Sequence, residues 1–122
     1  MYVKSSCKYL REDRLGVWVS VLEYKGNKKT LKGKSKDTTD KRMLWTGIIE
    51  GLKQLREPCL INIYTIGVLG LKSNVNKDLR DIFFNEIETN KHEFKSIVTN
   101  EYDYKLSKIM TEYYKTLLNN VN

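Results

Sequence analysis

The sequence predicts an α/β fold in which a mixed five-stranded sheet carries helices on both faces. Residues 17–24 are dense in β-branched and aromatic side chains and run into a turn and a second alternating segment, which is typical of a hairpin. Residues 40–57 repeat apolar side chains at helical spacing. Pro58 ends that helix, and a short apolar strand follows it. Strands joined first directly and then through helices favour a mixed sheet.

The remaining elements follow from the same patterns. The first part of the chain is predicted to form a strand at 2–7, a charged loop at 8–16, and strands at 17–24 and 29–36 around a turn at 25–28. After the helix at 40–57, the prediction is a strand at 60–64, a short irregular helix at 66–71, a helix at 78–91, an edge strand at 94–99 and a helix at 102–119. In the turn, Gly26 and Asn27 are the residues that favour positive φ. We predict one domain over residues 1–122, because this length supports a single core.

The positive charge lies in the first half of the chain. Residues 1–61 hold 14 Lys and Arg against 7 Asp and Glu, whereas residues 62–122 hold 8 of each. This asymmetry predicts a polyanionic or acidic partner, the alternative being a solvated basic surface that only aids solubility. No apolar run approaches the ~20 residues that span a membrane, and no signal peptide is visible. We therefore expect a cytoplasmic protein without a membrane partner.

Three segments resemble the ribonuclease H family. Residues 38–44 read Thr-Thr-Asp-Lys-Arg-Met-Leu, where the central helix of that family opens with a Thr-Thr-Asn-Asn-Arg-Met-Glu type sequence. The next strand ends in Thr65-Ile66-Gly67, where the family has Thr-Asp-Ser, and the strand before Cys7 aligns with the family's first strand. The resemblance covers nearly the whole chain. It implies a ribonuclease H-like sheet of order 3-2-1-4-5, with three antiparallel strands and then two parallel ones.

The resemblance also implies where a catalytic site belongs. The family cuts the RNA strand of hybrids with two metal ions, which need carboxylate ligands. The four ligand positions fall on Lys4, Leu44, Ile66 and Tyr104, with Asp103 as the alternative for the last. Because Lys4 adds positive charge where two cations belong, we predict a catalytically degenerate pseudoenzyme with no catalytic residue, metal or cofactor. The single histidine, His92, is predicted at the surface of a helix end.

A binding role without catalysis is the function that this pattern favours. Basic side chains along the first half would contact phosphates in a salt-dependent and sequence-independent manner. The predicted nucleic-acid or partner-binding residues are Lys4, Lys28, Lys29, Lys32, Lys34, Lys36, Thr39, Lys41 and Arg42. The partner is predicted to be RNA, DNA, a hybrid, or a protein complex that binds nucleic acid, and the sequence leaves these open.

The alternative function is an inhibitor or adaptor that binds a protein partner. The Lys-, Asn-, Ile- and Tyr-rich composition suggests an AT-rich genome and suits a phage or mobile-element protein of the anti-defence type, such as an anti-CRISPR. Leu44 and Ile66 would then either seal the old pocket or form an interface. The chain is predicted to be a monomer or a weak homodimer.

Overall fold

The computed structural model describes residues 1–10 and 13–119. Its elements in chain order are β1 (Tyr2–Leu10), β2 (Asp13–Tyr24), β3 (Asn27–Lys36), α1 (Asp40–Leu52), β4 (Leu60–Thr65), α2 (Lys77–Thr89), β5 (Glu93–Val98) and α3 (Asp103–Asn119). Within these residues, no helix combines the length and apolar character that crossing a membrane requires.

The five strands form one sheet of order β3-β2-β1-β4-β5. β1, β2 and β3 pair antiparallel, whereas β4 pairs parallel with both β1 and β5. The predicted strand order and directions are therefore confirmed. The register places Val19 of β2 between Lys4 on β1 and Lys32 on β3, and β3 and β5 form the two edges of the sheet.

Helices α1 and α2 cover one face of the sheet. α1 begins after Thr39, whose hydroxyl accepts a backbone N–H of the first turn at 3.2 Å. Trp45 of α1 is buried and meets the edge of Phe83 of α2, with ring centroids 5.3 Å apart. Gly47 allows α1 to lie close against β1, because a Cβ atom there would be 2.9 Å from a methyl group of Val3. This close contact holds the middle of α1 against β1.

Helix α3 covers the opposite face. Alternate residues of β2 point towards it, as expected for a strand with one side chain in two on each face. The buried residues of this second cluster are Tyr2, Val17, Val19, Val21, Leu106, Met110, Tyr114 and Leu117. Helices therefore lie on both faces, as predicted.

Several local predictions are wrong. The predicted charged loop at 8–16 is strand at residues 8–10 and 13–16, because backbone pairing such as Lys8 with Leu15 extends the β1–β2 hairpin, and its residues 11 and 12 lie outside the described part of the chain. The residues with positive φ in the β2–β3 turn are Lys25 and Gly26, not Gly26 and Asn27. Residues 66–71 form bends and a turn instead of a helix, and Gly70 there has a φ of 71°.

The prediction for His92 is also wrong. His92 lies directly before β5 and is 6% exposed. Its Nδ1 accepts the backbone N–H of Cys59 at 3.0 Å, while the backbone N–H of Glu93 donates to the Cys59 carbonyl at 2.9 Å. Pairing of β5 with β4 thus carries the imidazole into the interior, which a helix-end assignment did not anticipate.

Candidate nucleic-acid interface

A cavity of about 320 Å³ lies where β4 ends, beside β1 and the first turn of α1. β1 and β4 run parallel, and Tyr64 near the carboxyl end of β4 pairs with Tyr2 at the start of β1, so the residues that follow β4 lie beside the first half of β1. Lys4, Leu44 and Ile66, three of the four positions that the sequence matched to family ligand positions, all line this cavity. We refer to it as the Lys4 cavity.

Lys4 is bound to the start of α3. Its ammonium group lies 2.5 Å from Oδ1 of Asp103, and the hydroxyl of Ser107 lies 3.3 Å from the same oxygen. The hydrogen bond from Lys4 lowers the pKa of the Asp103 carboxyl below its ordinary value. The side chain of Tyr104 is instead 81% exposed. Of the two alternatives for the last helix, Asp103 is the one whose side chain contacts Lys4.

The start of α1 supplies a second carboxylate to the Lys4 cavity. Asp40 lines it and accepts a hydrogen bond from the hydroxyl of Ser5 at 2.7 Å. Over residues 1–10 and 13–119, no three His, Cys, Asp or Glu side chains are grouped so that they can hold a metal ion. With an ammonium group bonded to Asp103, these residues do not fit a two-magnesium centre.

Leu44 and Ile66 have different surroundings. Leu44 is 8% exposed and belongs to the core between α1 and the sheet, so it seals the floor of the Lys4 cavity. Ile66 is 44% exposed, and Val68 beside it is 72% exposed. The sequence left open whether these positions are core or surface. In the structure, Leu44 is a core residue and Ile66 is a surface residue.

Most of the predicted basic residues lie on edge strand β3. Lys32 and Lys34 are paired with Val19 and Val17, which pack against α3, so both lysines lie on the α3 face of the sheet. The ammonium group of Lys32 lies 5.1 Å from the ring centroid of Tyr113 on α3, which confirms this placement. By the same alternation this face of β3 also carries Lys28 and Lys36. We call Lys28, Lys32, Lys34 and Lys36 the β3 lysine row.

The other predicted binding residues lie elsewhere. Lys29 points to the α1 face and donates to Oε1 of Gln54 at 2.6 Å. Lys41 lines the Lys4 cavity and donates to the carbonyl of Val68 at 2.5 Å. The hydroxyl of Thr39 caps α1. The predicted residues therefore form separate groups and not one continuous strip.

Arg42 is held by the start of α2. Its guanidinium donates to both carboxylate oxygens of Asp78, at 2.8 and 3.1 Å, and to Oδ1 of Asn76 at 3.2 Å. This bidentate pair lowers the pKa of Asp78 to about 2. The sequence placed Asp78 near a helix N-terminus and gave no sign of this partner, because the contact joins residues that lie far apart in the chain.

Known proteins share the architecture that surrounds this site. The crystal structure of RNase H1 from the halophilic archaeon Halobacterium salinarum matches with a TM-score of 0.51 and 13% identity, covering 84% of this chain and 86% of that one. This likeness shows the fold, which is ribonuclease H-like.

Sequence relatives agree with the structural comparison. A Ribonuclease H of Caldicellulosiruptor saccharolyticus is 54% identical over 50 residues, covering 41% of this chain and 34% of that protein. A Ribonuclease H of a Sulfurovum species is 35% identical over 74 residues, covering 55% of this chain and 50% of that protein. No protein-family model matches. The matches span about a third to a half of the length of these curated relatives. Together with the structural match, they support a ribonuclease H-like fold for this chain.

The prediction that the chain is not an enzyme is corrected by these relatives. Several proteins that match it are named Ribonuclease H, which is an enzyme. The prediction inferred lost activity from the residue types at Lys4, Leu44 and Ile66. The residue types at these positions do not by themselves establish a loss of activity. The prediction of a pseudoenzyme is therefore withdrawn as well.

Proposed function

We propose that the chain binds nucleic acid through the β3 lysine row. The observation that carries this proposal is the placement of four lysines on one face of an edge strand, in the half of the chain that holds the whole net charge of +7. Alternate residues of a strand are about 6.8 Å apart, so the ammonium groups are spread along a line. Such a line suits a phosphate backbone and supplies sequence-independent affinity.

The fold supports the same proposal. The relatives and the structural neighbour carry the name ribonuclease H, which denotes action on RNA. Arg42 and Lys4 are engaged by Asp78 and Asp103, so Lys32 and Lys34 of the β3 lysine row are the better source of phosphate contacts. Lys28 is only loosely paired, with its ammonium group 3.9 Å from a carboxylate oxygen of Glu23.

The proposal predicts salt-dependent binding. We expect labelled single strands, duplexes and hybrids to raise fluorescence anisotropy when the protein is added. For single strands the logarithm of the binding constant should fall with the logarithm of salt concentration, with a slope of roughly −2 to −3 for three or four phosphate contacts. Binding that is undetectable at low salt, or that does not respond to salt, contradicts the proposal.

Cleavage is measured with the same samples. The relatives' name makes hydrolysis of a bound RNA strand a second candidate function. To test for hydrolysis, a labelled RNA–DNA hybrid is incubated with the protein and Mg²⁺ or Mn²⁺. The appearance of shortened RNA would show that this chain hydrolyses the RNA strand. Binding by the β3 lysine row is expected in either case, since its lysines are not metal ligands.

A protein partner is the other candidate, and the exposed apolar side chains of Ile66 and Val68 beside the Lys4 cavity favour it. Capture of partners on the immobilised chain, with and without nuclease treatment, separates the two interactions. A protein that stays bound after nucleic acid has been digested supports an adaptor or inhibitor. A protein that is released with the nucleic acid supports the lysine row alone.

A further inference from the structure

A second and larger cavity lies at the other end of β4. Its volume is about 560 Å³, and it is lined where β1 begins, β2 ends and β4 begins. The Lys4 cavity lies where β4 ends, so the two are separate. This volume lies within the range of pockets that hold small organic groups.

Aromatic rings form one wall of this cavity. Tyr2 and Tyr102 are stacked with ring centroids 4.2 Å apart and planes 8° apart, and the ring of Tyr64 lies 5.1 Å from that of Tyr102. Two further lining residues stand at the surface, because Tyr24 is 60% exposed and Leu60 is 69% exposed. Of these lining residues, Tyr24 has the exposed ring on which a planar ligand can stack.

Cations of the β2–β3 hairpin reach the residues that line the cavity. Lys29 donates to Gln54 at 2.6 Å, and Lys28 lies 3.9 Å from Glu23. The ammonium group of Lys25, in the turn, lies 5.2 Å from the ring centroid of Tyr24. The cavity therefore adjoins the end of the β3 lysine row at Lys28.

Polar side chains complete the lining. Arg56 and Asn62 are both exposed and both line the cavity. Guanidinium and amide groups are the side chains that hydrogen-bond most readily to the edges of nucleobases. Stacking surface, edge donors and neighbouring cations are thus found together.

We propose that this cavity binds an unpaired nucleobase, with the flanking phosphates on the ammonium groups of Lys28 and Lys29. The inference rests on the proposed function, because it adds a base contact to the phosphate contacts of the β3 lysine row. A strand lying along β3 reaches the β2–β3 turn, where the base turns into the cavity against Tyr24. The site favours single strands and frayed ends, since a paired base cannot leave its stack without cost.

The test compares a short mixed-sequence single strand with its fully abasic counterpart. Both carry the same phosphates, so only the strand with bases can use the cavity. We expect the unsubstituted protein to bind the strand with bases at least about fivefold more tightly, because stacking is worth about 1–3 kcal/mol per base. Tyr24→Ala should remove most of this preference and leave binding of the abasic strand unchanged.

Tyr104→Ala is the matched control, because Tyr104 is also an exposed tyrosine but lies on α3 and does not line the cavity. It should keep the preference for bases. Leu60→Ser, at the mouth of the cavity, should reduce the preference independently of Tyr24, and circular dichroism reports whether each variant is folded. Equal losses in Tyr24→Ala and Tyr104→Ala overturn the proposal.

The outcomes also separate this inference from the proposed function. Equal and salt-dependent binding of both strands by the unsubstituted protein overturns the base site and leaves the β3 lysine row standing. Absence of binding to either strand overturns both. A preference for bases that survives both Tyr24→Ala and Leu60→Ser places the base elsewhere and overturns this site.

Discussion

At the scale of single residues, the structure shows that some basic side chains are already paired with carboxylates of the same chain. Lys4 and Arg42 both match a phosphate-binding pattern, yet Asp103 and Asp78 engage them at 2.5 and 2.8 Å. Each pair joins the start of one element to another element. The residue types were predictable from the sequence, whereas these partners depend on how β1 lies against the start of α3 and how the start of α1 lies against the start of α2.

The Arg42–Asp78 pair gives a prediction about acid titration. Because Arg42 lowers the pKa of Asp78 from 3.8 to about 2, Asp78 should stay ionised while ordinary carboxylates take up protons. The folded-state pKa is depressed, so the stabilisation by this pair is present above about pH 4 and is lost as pH falls towards 2. Carboxyl ¹³C NMR should show this low midpoint, and in Arg42→Met it should rise towards the ordinary value. An unchanged midpoint in Arg42→Met would show that another group causes the shift.

At the scale of elements, strong local patterns predict the observed elements, whereas the errors at residues 8–16 and at His92 arise where long-range pairing decides. The apolar run of β2 and the helical spacing of α1 correspond to observed elements. The hairpin of β1 and β2 continues through residues that look like a charged loop, because a backbone ladder does not depend on side-chain charge. The prediction of a helix at residues 66–71 is based on their apolar composition alone. The segment contains two glycines, and Gly70 adopts a positive φ that does not fit a helix.

The packing of β3 against β2 depends on Gly33, which lies between the lysines of the strand. A Cβ atom at Gly33 would lie 2.5 Å from Nε1 of Trp18, a ring that is only 8% exposed. Overpacking costs about 1–3 kcal/mol, which exceeds the gain of about 0.5–1 kcal/mol expected from removing a strand glycine. β3 is therefore held against β2 by a glycine-on-tryptophan contact.

Gly33→Ala should accordingly lower the free energy of unfolding by about 1–2 kcal/mol, measured by urea denaturation with Trp fluorescence. Gly67→Ala is the control, because no atom lies within 4 Å of a Cβ built there. It should change stability by less than about 0.5 kcal/mol. Equal effects of the two substitutions would show that the Trp18 contact does not constrain β3.

At the scale of the whole molecule, the charge asymmetry of the sequence becomes a spatial one. The first half supplies β1, β2, β3 and α1, so its excess of cations lies towards the β3 edge of the sheet. β5 forms the opposite edge and belongs to the half without net charge. The existence of a basic surface was predictable, whereas its division between the α3 face, the α1 face and the Lys4 cavity follows from strand pleating and helix starts.

The central claim, that the β3 lysine row binds nucleic acid, is tested most directly by matched charge reversal. Lys32→Glu with Lys34→Glu alters the row, and Lys72→Glu with Lys95→Glu makes the same change in net charge on exposed residues outside it, Lys95 lying on the β5 edge. At one fixed salt concentration, anisotropy titration of a single strand should show at least about tenfold weaker binding for the first pair and a much smaller change for the second. Equal losses in the two pairs would contradict the account, because affinity would then depend on net charge and not on this strand.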